Sequence, residues 1–166
     1  KAKLNNQKER VLKFRKRKSK VSSKDKVGWR FTQPGYFYIT IPFNLENENM
    51  NSIKIGKLKG SSDMFVRVIA NPISKGILKD NHIEPVNNLA KSEFVVLSDN
   101  RKVKYYPLDA NHNSQQFRIK GPKRIRVENR IGTSFEFDEL ESYILNVTED
   151  GFDFCDYHIE TQVSQV

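Results

Sequence analysis

The run Met64-Phe-Val-Arg-Val-Ile-Ala70 decides how the chain is read, because its residues are strand-forming and sort by twos. As an extended strand it places Met64, Val66, Val68 and Ala70 on one face and Phe65, Arg67 and Ile69 on the other, so the first face is expected to be core. The same period of two recurs outward in both directions. Strands are expected over residues 36–41, 52–58, 64–70, 93–97, 103–106, 117–120, 124–127, 134–138, 143–147 and 152–160. Breaks separate them at Pro34-Gly35, Pro42, residues 60–63, Asn71-Pro72, Lys75-Gly76, Asp99-Asn100, residues 109–114, Gly121-Pro122, residues 130–132 and Asp150-Gly151, all of turn-forming composition. The stretch 71–91 is a long connection with two prolines and a short helix expected over 86–91.

This pattern predicts an all-β domain over residues 31–166, an antiparallel β-sandwich of Greek-key or jelly-roll type, with a small β-barrel as the alternative architecture. The composition agrees. Eleven Phe and six Tyr stand in a chain of 166 residues with 37% apolar content, enough for one modest core and one domain. No stretch reaches the roughly 18 apolar residues of a membrane helix, so the expectation is a soluble chain with no membrane partner. A lone cysteine, Cys155, rules out an internal disulfide. The triplet Asn146-Val147-Thr148 matches the glycosylation acceptor pattern, which arises readily by chance in an Asn-rich chain.

Charge is distributed unevenly. Of the net +9, residues 1–30 hold thirteen Lys or Arg against Glu9 and Asp25, a local +11, while the remaining sixteen cations and eighteen carboxylates leave the domain at −2. The densest run, residues 13–18, has five cations in six positions. Such a segment repels itself and buries little, so residues 1–30 are expected to form a basic arm, disordered in isolation or at most a frayed helix over 6–18. Leu4, Val11, Leu12 and Phe14 supply a thin apolar stripe by which the arm docks on its own domain or a neighbouring subunit. Closely spaced cations displace counterions from a phosphate backbone, and on that ground Lys8, Arg10, Lys13, Arg15, Lys16, Arg17, Lys18, Lys20, Lys24, Lys26 and Arg30 are the first candidate nucleic-acid contacts. The competing readings are a solvated tail or address, and a segment that pairs with acidic protein or lipid. Residues 134–160, with nine carboxylates and no Lys or Arg, supply such an acidic surface within the chain itself, so the charge pattern also fits self-assembly.

A second basic stretch, 118–126 continuing to Arg130, has the form of a hairpin with Ile119, Ile125 and Val127 on one face and Lys120, Lys123, Arg124 and Arg126 about its turn. Those four are the second set of candidate contacts, weighed equally against an ordinary solvated hairpin. Trp29, Phe31, Tyr36 and Tyr38 offer rings for stacking on unpaired bases, although strand periodicity assigns such aromatics more often to the core.

Chemistry-bearing motifs are sparse. Cys155 and His158 are three apart on a strand and so face opposite ways, and His82 and His112 stand far off in loops, which argues against a metal site. Asp153 and Asp156 lie in a region without the lysine that a metal-dependent nuclease uses. No Gly-rich phosphate loop and no nucleophile-base-acid motif is present, so the chain is read as no enzyme, with no cofactor and no small-molecule substrate.

A short cationic arm leading into a small β-sandwich resembles, in general plan, the coat proteins of small icosahedral viruses. The resemblance rests on arm, size and strand number, not on a motif. It implies an arm that lies inside a shell and neutralises the genome, a sandwich that tiles the surface as a homo-oligomer, and residence in the virion. The alternative is a β-rich module of a cellular, conjugative or replication nucleoprotein complex, cytoplasmic or nuclear, whose arm threads into RNA or DNA.

Overall fold

Met64, Val66, Val68 and Ala70 are buried together, as their spacing predicts. The computed structural model describes residues 8–16, 22–23, 30–31, 35–43, 45, 48–60, 63–71, 81–86, 91–97, 99–133 and 141–163. Among these the elements are all strands: β1 (Lys8–Lys16), β2 (Ser22–Ser23), β3 (Arg30–Phe31), β4 (Gly35–Ile41), β5 (Met50–Lys59), β6 (Asp63–Asn71), β7 (His82–Ile83), β8 (Glu93–Val96), β9 (Lys102–Leu108), β10 (Ser114–Lys120), β11 (Lys123–Thr133), β12 (Glu141–Glu149) and β13 (Phe152–Val163). The expected strand at 134–138 lies outside the described residues. So does most of the short helix expected over 86–91, of which Val86 is a turn and Lys91 is irregular.

The strands form two sheets. The first runs β1-β13-β12-β5-β10, and the second β4-β11-β3-β2-β8-β9-β6-β7 with a further pairing of β11 to β6. Pairing is antiparallel throughout except for β1, which lies parallel to β13. The sheets are not closed into a barrel, and the all-β antiparallel arrangement is consistent with a β-sandwich.

One core joins the two sheets. Alternate residues of β4 (Phe37, Ile39, Ile41) and β11 (Ile125, Val127, Ile131) meet Ile53, Ile55, Phe117, Ile119, Leu145, Tyr157 and Ile159 of the other sheet. Phe37 stacks on Tyr157 across the sheets with ring centroids 3.8 Å apart. Each such large side chain removed from water contributes roughly 2 kcal/mol, and the period of two in strands such as β4 and β10 follows from having one buried face. β6 departs from that rule, because Phe65 is buried on its other face in a smaller cluster with Val95 and Tyr105.

The basic stretch 118–126 is not a hairpin. β10 pairs with β5 in the first sheet, whereas β11 pairs with β4 and β6 in the second, so the chain changes sheets at Gly121-Pro122. This corner is tied down locally: the Gly121 N–H donates to the Asn49 carbonyl at 2.9 Å, and the Asn49 amide donates to the Gly121 carbonyl. A Cβ on Gly121 would lie 2.2 Å from the Pro42 carbonyl oxygen. Ile119, Ile125 and Val127 do meet, as their shared apolar character suggests, but they enter the core from opposite sheets. Because backbone atoms have little room to retreat, Gly121→Ala is expected to cost about 2 kcal/mol, read from chemical denaturation. An unchanged midpoint would contradict the corner.

A true hairpin closes β12 and β13. Glu149 and Phe152 pair across a two-residue loop whose Asp150 and Gly151 have φ of 49° and 83°, the backbone of the Asp-Gly turns that match strand twist. Burial, and secondarily the charge of Asp150, holds the Glu149 carboxyl above its usual 4.5. A raised folded-state value means that ionisation costs stability: the cost is absent below the unfolded value and grows as pH rises through the folded one. Glu149→Gln is therefore expected to raise the melting temperature at about pH 7 and to lose that advantage near about pH 4. Equal gains at both pH values would refute this assignment.

Candidate nucleic-acid interface

The residues singled out in sequence fall in three places. In the arm, Lys8, Arg10, Lys13, Arg15 and Lys16 belong to β1, and Arg30 belongs to β3. Arg17, Lys18, Lys20, Lys24 and Lys26 lie outside the described residues. The helix expected over 6–18 gives way to a strand where the chain is described. β-Prone Val11 and Phe14 suit an extended strand, and the long edge of β13 supplies the unpaired N–H and C=O groups that such a strand requires. β1 carries five cations and Glu9, while β13 carries Asp153, Asp156 and Glu160, and the register sets Lys13 opposite Glu160. The basic segment and the acidic quarter of the chain are thus neighbours in one sheet.

The second set of cations is split by the corner. Lys120 is exposed at the end of β10, on the outer side of the first sheet, because its neighbour Ile119 points into the core. Arg124 and Arg126 alternate with core residues Ile125 and Val127, and so stand on the outer side of the second sheet. Lys123 is half-buried at the start of β11.

Arg124 and Arg126 meet the aromatic candidates. β4 lies at the edge of its sheet and pairs with β11 so that Thr40 faces Arg124, Tyr38 faces Arg126 and Tyr36 faces Glu128. Phe37 and Ile39 take the core positions, which leaves Tyr36 and Tyr38 on the outer face, 51% and 36% exposed. Core placement, the usual fate of a strand aromatic, therefore does not hold for these two. Their rings meet edge to face at 5.8 Å, and the Arg124 guanidinium lies 4.2 Å from the centre of the Tyr38 ring. The diagonal step between neighbouring strands sets that contact. Trp29 lies outside the described residues, and Phe31 is in β3.

Behind this surface is a network that the sequence did not disclose. Arg126 pairs with one oxygen of Glu128 at 2.7 Å, while the other accepts the Tyr105 hydroxyl at 2.9 Å and lies 3.6 Å from Arg67. Arg130 donates through Nε to the Tyr105 oxygen at 2.9 Å. Arg67 and Arg130 are buried, and the Glu128 side chain is only 12% exposed. Burial pushes the Tyr105 hydroxyl up to about 12, with Arg130 acting to lower it and Glu128 to raise it. Tyr105 therefore stays protonated at neutral pH and bridges the carboxylate to Arg130. The arrangement fixes Arg126 in orientation at the border of the exposed tyrosines, with charge-assisted bonds stronger than neutral ones. The available signal was Arg67 itself, a charge in the middle of an otherwise apolar strand, which demands a partner once buried.

Elsewhere, Cys155 is buried in the core while His158 is half-buried on the opposite face of β13, the divergence that their spacing implies. Asp156 accepts the Asn146 amide at 2.7 Å. Among the described residues no three His, Cys, Asp or Glu side chains come together as a metal site. The chain matches no protein-family model, no curated protein and no solved structure.

Proposed function

We propose that this protein is a non-enzymatic, nucleic-acid-binding structural protein whose basic N-terminal arm neutralises phosphate and whose β domain assembles into a homo-oligomer. The observation that carries the reading is the charge division, +11 in residues 1–30 against −2 in the rest. Lys and Arg at that density release counterions from a polyphosphate whatever its base sequence. A near-neutral domain beside so basic an arm suits a scaffold in which the arm holds the cargo and the domain makes contacts with its own kind. The finer architectural reading, a Greek-key or jelly-roll sandwich, is supported by the repeated change of sheet at β4–β5, β5–β6, β9–β10, β10–β11 and β11–β12. On this reading the chain is a small viral coat protein resident in the virion, the arm turned toward the packaged genome.

The test is stoichiometry. Analytical ultracentrifugation of the full chain with nucleic acid is expected to give one large, uniform species of closed symmetry. Complexes of one or a few copies would replace the coat reading with that of a nucleoprotein module, and the absence of any complex would overturn both.

A further inference from the structure

We infer that the outer face of β4 and β11 is a binding site for an unpaired nucleic-acid strand, with Tyr36, Tyr38 and the Arg124 guanidinium as its stacking surface. The inference rests on the nucleic-acid reading and adds strandedness and location to it. In a duplex the base faces are covered by one another, so a protein reads it by phosphates or by inserting an element into a groove. Tyr36 and Tyr38 do neither. They sit side by side on an open sheet face, more than a third exposed, on an edge strand bordered by Arg124 and Arg126. Rings in that setting gain most by stacking on bases that are splayed out, and an arginine plane extends the same surface while its charge draws the backbone.

The electrostatics favour a polyanion over a protein partner. Glu128, the carboxylate opposite Tyr36, is already engaged by Arg126, Arg67 and Tyr105. Its charge is thereby offset, so the face around the tyrosines presents Arg124 and Arg126 without a free competing anion from this strand. Arg126, held at 2.7 Å by Glu128, is also positioned before any ligand arrives. That order lowers the entropy lost on binding.

Fluorescence anisotropy of the full chain with a labelled oligothymidylate of about 20 nucleotides, and with a mixed-sequence duplex of the same length, tests the site. The single strand is expected to bind more tightly. The double variant Tyr36→Ala, Tyr38→Ala lowers its affinity by about tenfold or more, and leaves duplex affinity nearly unchanged, because each stacked base contributes on the order of a tenfold factor. The double variant Tyr36→Phe, Tyr38→Phe retains the rings and the affinity. All four substitutions are at exposed positions, and circular dichroism verifies that each variant folds. If single-strand and duplex affinities fall equally, or neither changes while binding persists, the site is overturned and the arm alone accounts for binding. If the intact chain binds neither probe at low salt, the site and the nucleic-acid reading fall together.

Discussion

Deletion of residues 1–26 is expected to weaken binding to a single-stranded oligonucleotide by roughly a hundredfold or more at about 50 mM salt, and to flatten its salt dependence. The deleted segment carries twelve Lys or Arg against Glu9 and Asp25. If about six of those cations engage phosphates, log affinity against log salt loses about 4 from its slope on a single strand. The loss depends little on base sequence, because the arm reads charge. The deletion also uncovers β13 along the nine register positions that β1 occupies. An open edge of that length invites pairing with another chain, so light scattering should accompany the binding curve. A replacement of the basic residues of β1 by Gln keeps a strand available for the edge and isolates the electrostatic part. A salt slope unchanged in both variants would show that the arm does not hold the phosphates.

The second large effect is on stability. Glu128→Ala is expected to cost about 3 kcal/mol, because it removes the carboxylate on which Arg126, Arg67 and Tyr105 converge in a poorly solvated place. For a chain of this size that is roughly a 10 °C fall in melting temperature. Glu128→Gln restores a hydrogen-bond acceptor for Tyr105 and not the charge, and should recover only part of the loss. The arrangement also predicts a functional consequence: with its 2.7 Å partner gone, Arg126 is no longer held beside Tyr38, and single-strand affinity falls although Arg126 is intact. A variant as stable as the parent would mean that the arginines find compensation in water, and that the network is not what orders this face.

Much of the fold is legible in the sequence because one physical rule, a single buried face per strand, generates period-two patterns that survive in isolation. Residues 36–41 illustrate it, with Phe37, Ile39 and Ile41 in the core and Tyr36, Tyr38 and Thr40 exposed, whereas residues 64–70 bury Phe65, Arg67 and Ile69 as well as the expected face Met64, Val66, Val68 and Ala70. The strands expected at 36–41, 52–58, 93–97, 103–106, 117–120, 124–127, 143–147 and 152–160 all overlap observed strands. What periodicity cannot supply is the partner of each strand. The basic stretch 118–126 shows this, since alternation continues through Gly121-Pro122 as it would in a hairpin. The change of sheet is dictated by bonds from Gly121 to Asn49, distant in sequence.

The candidate site was legible in fragments. Arg124 and Arg126 were marked by charge, and Tyr36 and Tyr38 by aromatic character, but only the antiparallel register of β4 with β11 makes them one surface. Glu128 and Tyr105 carried no signal, because their role exists only where three strands converge. For residues 8–16, the repulsion among cations argues against local structure, and the competing term is the open backbone edge of β13, supplied from the far end of the chain.

The most direct measurement is the mass and the ratio of absorbance at 260 to 280 nm of the natively purified full chain, by light scattering coupled to size-exclusion chromatography at low and high salt. The expected result is a large, uniform species at low salt that carries nucleic acid, and that releases it at high salt or when residues 1–26 are deleted. A monomer free of nucleic acid at low salt would contradict it and assign the arm to a protein or lipid partner.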